Sequence, residues 1–524
     1  MKVDLIVTNA LVYTVNESFA VAESFAVQDG KFIAIGTNQE ISSKYSSGQT
    51  IDCGGKPVYP GFIDAHCHFY GYGMNLMEYA DLAGIKSQEE IFKKLQEHHS
   101  VSKTEWLLGR GWDQNLWTEK EFPDNQRLNE LFPDIPVYLV RVDGHAAWCN
   151  KKALQLAGIS ATSIISGGEV LLKKNQPTGV LIDNAMELVS KQIPEPSREL
   201  QIKALMTAQK NCFEVGLTSV TDCGLPKATI LLMDSLQKEG ILKMRINAMM
   251  EPTQENFDFF MKDKPYLTER LQVNTIKLYA DGALGSRGAF LLKDYSDDPG
   301  NHGLLMNDSN YFKTICQKAY DANFQVATHC IGDGANRFIL NIYGKFMKGT
   351  NDRRWRIEHA QVVNPDDLKL YGKYSVIPSV QATHATSDML WADERLGSER
   401  IKSAYAYRQL LEQNGWLPNG TDFPIEGINP MLTFYASVFR KNMEGIPAGG
   451  FQMENALTRE HALRSITIWA AKAGFEEQKK GSIELGKSAD FVLLDTELMN
   501  CAESEILEAK VLKTFSGGEL VNKN

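Results

Sequence analysis

The chain has 524 residues, 43% of them hydrophobic and 23% charged, a globular composition that excludes disordered, collagen-like and low-complexity chains. Lys and Arg number 55 against 65 Asp and Glu, a net charge of −10 with no basic run, so no positive face for nucleic-acid phosphates is expected. No stretch approaches 18 uninterrupted apolar residues, which excludes a membrane-spanning helix.

At roughly 150 residues per domain, this length fits three to four units or one large barrel with satellites. The first stretch alternates like short strands: Leu5-Ile-Val, Ala10 to Val15, Ser24 to Val27, Lys31 to Gly36 and Thr50-Ile-Asp, with Asp29-Gly30 as a hairpin turn. It carries no apolar core or cleavage site of a signal peptide, and the eight scattered cysteines form no CxxC, so reduced thiols and a cytoplasmic location are expected. The last stretch mirrors the first, with Asp490 to Asp495, Val511 to Phe515 and Glu519-Leu-Val around Gly517-Gly518. Neither end can bury a core alone, so the two are expected to share one β-sandwich, residues 1–58 plus 478–524.

Between them, residues 59–477, the pattern alternates β and α. Eight apolar runs stand out: Val58–His68, Thr218–Asp222, Lys243–Met249, Thr275–Asp281, Gln325–His329, Trp355–Gln361, Ser375–Gln381 and Trp416–Asp422. Helix-like stretches such as Tyr311 to Ala322 separate them, which predicts an α/β fold built on a (β/α)8 TIM barrel. The gap after the first run is too long for a loop and holds its own strands, so residues 70–200 are expected to form an α+β insert after strand 1.

The chemistry gathers at the ends of the runs, the rim where this fold places functional residues. Run one ends His66-Cys-His68; alternation turns both imidazoles to one side, where two can chelate one ion. Run five ends at His329 and run six holds His359. Lys277 interrupts an apolar strand, where an unpaired ammonium is costly. It either snorkels or has reacted with carbon dioxide to give an anionic carbamate that bridges two cations. Asp422 closes run eight, as a turn cap or as a catalytic carboxylate.

With these residues in place, the sequence resembles the amidohydrolase superfamily through Pro60-Gly-Phe-Ile-Asp-Ala-His-Cys-His68, Lys277, His329, His359 and Gly420-Thr-Asp422. Within it the chain is similar to amidohydrolase family 3, which includes N-substituted formamide deformylases, through Arg141-Val-Asp-Gly-His145, Pro177-Thr-Gly-Val-Leu, Ala280 to Arg287, His329 to Asp333 and Gly481 to Asp490. The resemblance covers essentially the whole chain and shows no departure at the six metal positions. It implies that His66 and His68 hold one metal, His329 and His359 a second, N6-carboxylated Lys277 bridges them, and Asp422 touches the first while serving as base. One or two divalent ions are compatible, zinc foremost, with manganese, iron and cobalt suited to the same ligands.

The activity so implied is hydrolysis of a C–N bond in an N-substituted amide or formamide by a metal-bound hydroxide, with Asp422 passing the proton to the leaving nitrogen. His145 and His384 either donate to the developing oxyanion, bind substrate, or make structural hydrogen bonds. Arg287 is a candidate partner for an acidic substrate group or for a loop carboxylate. Trp112 and Tyr72, with other aromatics of the insert and of the stretch after His68, either line an apolar pocket or form the insert's own core. Competing functions are a one-metal deaminase of a cyclic amidine, against which the bridging lysine counts, and an inactive scaffold, against which the intact ligand set counts. The expected partner is a small molecule, with a homodimer as the default assembly and neither nucleic acid nor membrane involved.

Overall fold

The computed structural model describes residues 1–102, 104–262 and 265–523. Seven parallel strands follow one another in a single sheet: Phe62–Cys67, Leu217–Leu225, Arg245–Met250, Leu271–Tyr279, Gln325–Cys330, Arg356–His359 and Ile377–Ser379. Nearly every residue of these strands is buried, because helices cover one face and the barrel interior the other; continuous apolar runs result instead of alternation.

The eighth run forms no strand ladder, a departure from the expected eight regular strands. It nevertheless lies between the seventh and first strands. Val380 and Asn419 make a parallel bridge, Gly420 N–H donates to Val380 O (3.0 Å), and Asp422 N–H donates to His66 O (2.8 Å). Pro418 has no N–H to give, and Asp422 adopts φ 60°, so a regular ladder is broken on both sides of the bridge. The parallel barrel is therefore nearly closed.

Helices on the outside carry ordinary start signals. Ser309–Asp321 begins where the Asp308 carboxylate accepts the Tyr311 N–H (2.8 Å), and Arg198–Glu214 begins where Ser197 caps Leu200.

Strands from the two chain ends meet in a six-stranded sheet, Glu519–Lys523, Val511–Ser516, Phe491–Leu494, Pro57–Pro60, Leu11–Tyr13 and Val21–Ala22. Its apolar side joins one core with the four-stranded sheet that contains Leu5–Thr8 and Ser24–Gln28, and Phe491 stacks on Phe515 with ring centroids 4.3 Å apart. The Asp29-Gly30 and Gly517-Gly518 turns both have positive φ at each central residue, the geometry that suits a twisted hairpin.

Between the first and second barrel strands lies a separate six-stranded sheet, from Ala80–Asp81 to Gly168–Lys173 in space. The helix Gln88–Val101 packs Ile91, Phe92 and Leu95 onto one face of it, over Trp112, Trp117 and Trp148. No helix among the described residues is long and apolar enough to cross a membrane.

Candidate metal centre

His66 projects from the first barrel strand with no exposure to solvent. Its Nδ1 donates to Glu358 Oε2 (2.5 Å), which leaves Nε2 facing the barrel interior. Glu358 is itself held by Arg356, whose Nε lies 2.6 Å from Oε1 and whose Nη2 also donates to Ala65 O and Ser379 Oγ. Burial alone pushes the Glu358 carboxyl up, but Arg356 and His66 hold it well below the usual carboxylate range. Burial, and then the charge of Lys277, push His66 down to about 4, so its free nitrogen presents a lone pair.

The eighth segment brings Asp422 to this ring. Asp422 Oδ1 lies 3.5 Å from His66 Nε2 and 3.3 Å from His68 Nε2, while Oδ2 lies 3.7 Å from His384 Nε2. Burial raises the Asp422 carboxyl, but the surrounding imidazoles hold it far below its ordinary value, so it is ionised. Its approach depends on Asp64, whose carboxylate accepts from His66 N (3.0 Å), Thr421 N (3.1 Å) and Thr421 Oγ1 (2.6 Å). Gly420 is required here, since a Cβ would sit 2.5 Å from the His66 nitrogen.

His359 ends the sixth strand with φ 71°, and its Nδ1 donates to Gln381 Oε1 (2.7 Å). Its ring lies 4.8 Å from His66, 4.5 Å from His329 and 5.8 Å from His384. Lys277 is only 1% exposed, so it does not snorkel; its Nζ lies 3.3 Å from His66 Nε2 and 4.7 Å from the Tyr279 ring centroid. Burial pushes Lys277 down, but Tyr279, Cys223 and Glu358 outweigh it and raise the group overall.

Two sets of potential ligands have donor atoms within 4.8 Å of one another: His66, His68 and Asp422, and His359, His384 and Asp422. The second differs from the set expected from sequence. That set holds His384, while His329, whose Nε2 donates to Gly282 O (3.3 Å), lies in neither. The donors suit a divalent transition metal, being imidazole and carboxylate. Two buried atoms, Asp422 Oδ1 and His384 Nε2, have no hydrogen-bond partner, as expected of groups shaped to ligate.

His145 reaches the same cavity from the insert, its ring 4.7 Å from His329 and its Nδ1 donating to Asp183 Oδ1 (2.7 Å). Cβ atoms on Gly282 or Gly288 would meet the Asp183 carboxylate at 2.3 and 2.5 Å, which explains the glycines in the Ala280–Arg287 stretch and just after it. The cavity holds about 470 Å³ and opens over the ring of histidines.

Three candidate substrate contacts lie outside the lining of this cavity. Trp112 is fully buried in the insert's core, with its indole N–H on Leu139 O (2.8 Å), because the inward face of its strand is the insert's interior and not the cavity. Tyr72 packs its ring on Phe423 (5.2 Å) and accepts from Asn211 Nδ2 (2.8 Å), behind the eighth segment. Arg287 spends its charge on Asp297 (2.7 Å), the loop carboxylate. Asp64, Glu358, Gln381 and Asp183 were missed; only Arg356-Ile-Glu358, opposite charges two apart in an apolar strand, carried a signal.

The sequence matches the Amidohydrolase family over residues 49–522. It is similar to Protein LONG AFTER FAR-RED 3 of Arabidopsis thaliana, at 32% identity over 98% of this chain and 91% of that one. An N-substituted formamide deformylase of Arthrobacter pascens is 24% identical over 99% of this chain and 98% of its own. The crystal structure of a metal-dependent hydrolase from Pyrococcus horikoshii superposes with a TM-score of 0.77 at 29% identity, covering 95% of this chain and 99% of that one.

Proposed function

The chain belongs to the amidohydrolase family, and on that premise we propose that it is a metal-dependent hydrolase of the C–N bond in an N-substituted amide or formamide. The observation that carries this reading is the convergence of His66, His68, His359 and His384 on the Asp422 carboxylate at the cavity floor. The similarity to a formamide deformylase supports the choice of bond.

His66, His68, His359, His384 and Asp422 would hold the metal, zinc foremost, as one ion or two. Lys277, as its carbamate, and His329 would complete a two-ion site. Such a cation supplies Lewis acidity, lowering the pKa of water from about 15.7 towards 7 and polarising a carbonyl. Asp422, ionised and facing the imidazoles, takes the proton of the attacking water and returns it to the nitrogen, which otherwise leaves poorly. His145, fixed by Asp183, lies where it can donate to the carbonyl oxygen as charge develops. Leu390, Trp391 and Leu432 supply apolar surface that can receive the N-substituent.

The same reading divides the chain into a composite β-sandwich (1–58 with 478–524), a barrel (59–477) and an insert (70–200), in a cytoplasmic homodimer acting on a small molecule. A screen of amides, formamides, lactams and esters with zinc- or manganese-loaded protein tests it. Turnover of N-substituted formamides with one to two equivalents of bound metal is expected. Protein that carries no transition metal under any preparation overturns the proposal.

A further inference from the structure

The cavity wall is strongly biased in charge. Six of its lining side chains are carboxylates and three are Lys or Arg. Of the three basic groups, Arg141 pairs with Asp113 and Asp143 and Lys441 with Glu503 (2.8 Å), while Lys277 lies on the floor beside His66. A substrate carboxylate therefore meets no unpaired Lys or Arg among the lining residues above that floor.

Two carboxylates stand in the opposite condition. Asp388 follows His384 by one helical turn on the helix Ala382–Asp388, so both face the same side, and Glu426 lies four residues beyond Asp422. Their hydrogen-bond partners are neutral: Tyr405 Oη (2.8 Å) and Gln361 Nε2 (3.1 Å) donate to Asp388, and Ser387 Oγ (2.6 Å) donates to Glu426. Burial pushes both carboxyls up and His384 pulls against it, with Glu426 adding to the rise at Asp388 and Asp422 to that at Glu426. A further polar atom of the same wall points to a ligand independently: Thr383 Oγ1 belongs to a residue 6% exposed and has no hydrogen-bond partner. Beside it, Leu390, Trp391 and Leu432 supply an apolar surface.

We propose that Asp388, Glu426 and Thr383 form an ammonium subsite, so that the substrate is an N-acylated amine whose N-substituent carries a second, positively charged amino group. This rests on the hydrolase reading above for the reaction, though not for the binding. The methylene chain would lie on the apolar wall, the acyl carbon over the histidines, and the ammonium between the two carboxylates. Water adds to the acyl carbon, the C–N bond breaks, and the water's protons end on the nitrogen; a carboxylate and a diammonium product leave. A cation beside two carboxylates in a cleft of low dielectric is held far better than a neutral group of the same shape.

The test is calorimetric titration of the full-length protein, metal-loaded and metal-stripped, with hexylammonium and with 1-hexanol at low salt. Hexylammonium is expected to bind at least tenfold more tightly in both forms, and 0.5 M NaCl should weaken it while leaving hexanol unchanged. In a Asp388→Asn/Glu426→Gln double variant the preference should fall to within twofold. Equal binding of the two probes by the unmodified protein, or a preference that survives in the folded double variant, overturns the subsite. Hydrolysis of neutral N-hexylformamide is measured in parallel. Its presence without an ammonium preference sinks the subsite alone; its absence alongside a clear preference sinks the reaction and supports the subsite.

Discussion

Glu358 and Arg356 together tie the sixth strand to the first and the seventh. Glu358 sits fully buried between Arg356 and His66, and it decides which nitrogen of His66 faces the centre. Replacing it by Gln leaves the Arg356 charge buried without its partner, which costs roughly 3–5 kcal/mol. Metal affinity should also fall about 10–100-fold, since the hydrogen bond that orients the ligand is weakened. Denaturant unfolding and competitive metal titration of Glu358→Gln measure the two effects separately; an unchanged midpoint would refute the role given to the pair. Asp422→Asn acts differently, removing the proton carrier and exchanging one anionic donor for a neutral amide. Turnover should drop by about 10²–10⁴-fold while elemental analysis still finds metal on the histidines. At this scale the sequence was legible where a rule of geometry applied. Alternation placed His66 and His68 together, and strand ends drew His329, His359 and Asp422 towards one rim. Glu358, Gln381 and Asp183 escaped because each earns its role from a partner 22 to 292 residues away, which no local pattern reveals.

The eighth segment shows how an element is shaped by what it must deliver. As a run of apolar residues it was visible in the sequence, yet it pairs through a single bridge and a few backbone hydrogen bonds, held in place by the Asp64 carboxylate. The irregularity turns Asp422 inward at φ 60°, where a continuing strand would not. Gly420→Ala tests this directly. Its Cβ would press on the His66 nitrogen and Asp64 Oδ1 (2.7 Å), both on the neighbouring strand. Overpacking of this kind costs about 1–3 kcal/mol, and because the first strand must shift, bound metal should fall as well. A variant that keeps both its unfolding midpoint and its metal content would show that the close approach is unimportant. The insert taught the reverse lesson. Its strands were legible, but a buried tryptophan on a strand looks alike whether it faces a cavity or a core. Trp112 faces the core, under the helix Gln88–Val101.

Over the whole molecule, the donor atoms of the centre come from positions 66 to 422 and from four of the eight barrel positions, including the two that meet where the ring closes. A metal bound there ties the first strand to the sixth, the seventh and the irregular eighth. It binds the folded chain, because the unfolded chain does not hold these ligands together, so it stabilises by mass action: about 2.7 kcal/mol when free metal exceeds its dissociation constant a hundredfold. In metal-stripped protein burial holds His66, His329 and His359 towards their neutral forms, and the barrel stays closed by its backbone bonds, so the loss should appear in stability rather than in fold. Chelation is therefore expected to lower the thermal midpoint by several degrees while the far-ultraviolet circular dichroism at 25 °C stays the same. Added zinc or manganese should restore it. Lys277→Ala separates one ion from two: if the lysine bridges as its carbamate, the variant retains at most one equivalent and regains only part of the midpoint on reloading. Two equivalents held by that variant without an added short-chain acid would rule the bridge out, and a midpoint indifferent to chelation would mean that the ring of histidines holds no ion that matters to the fold.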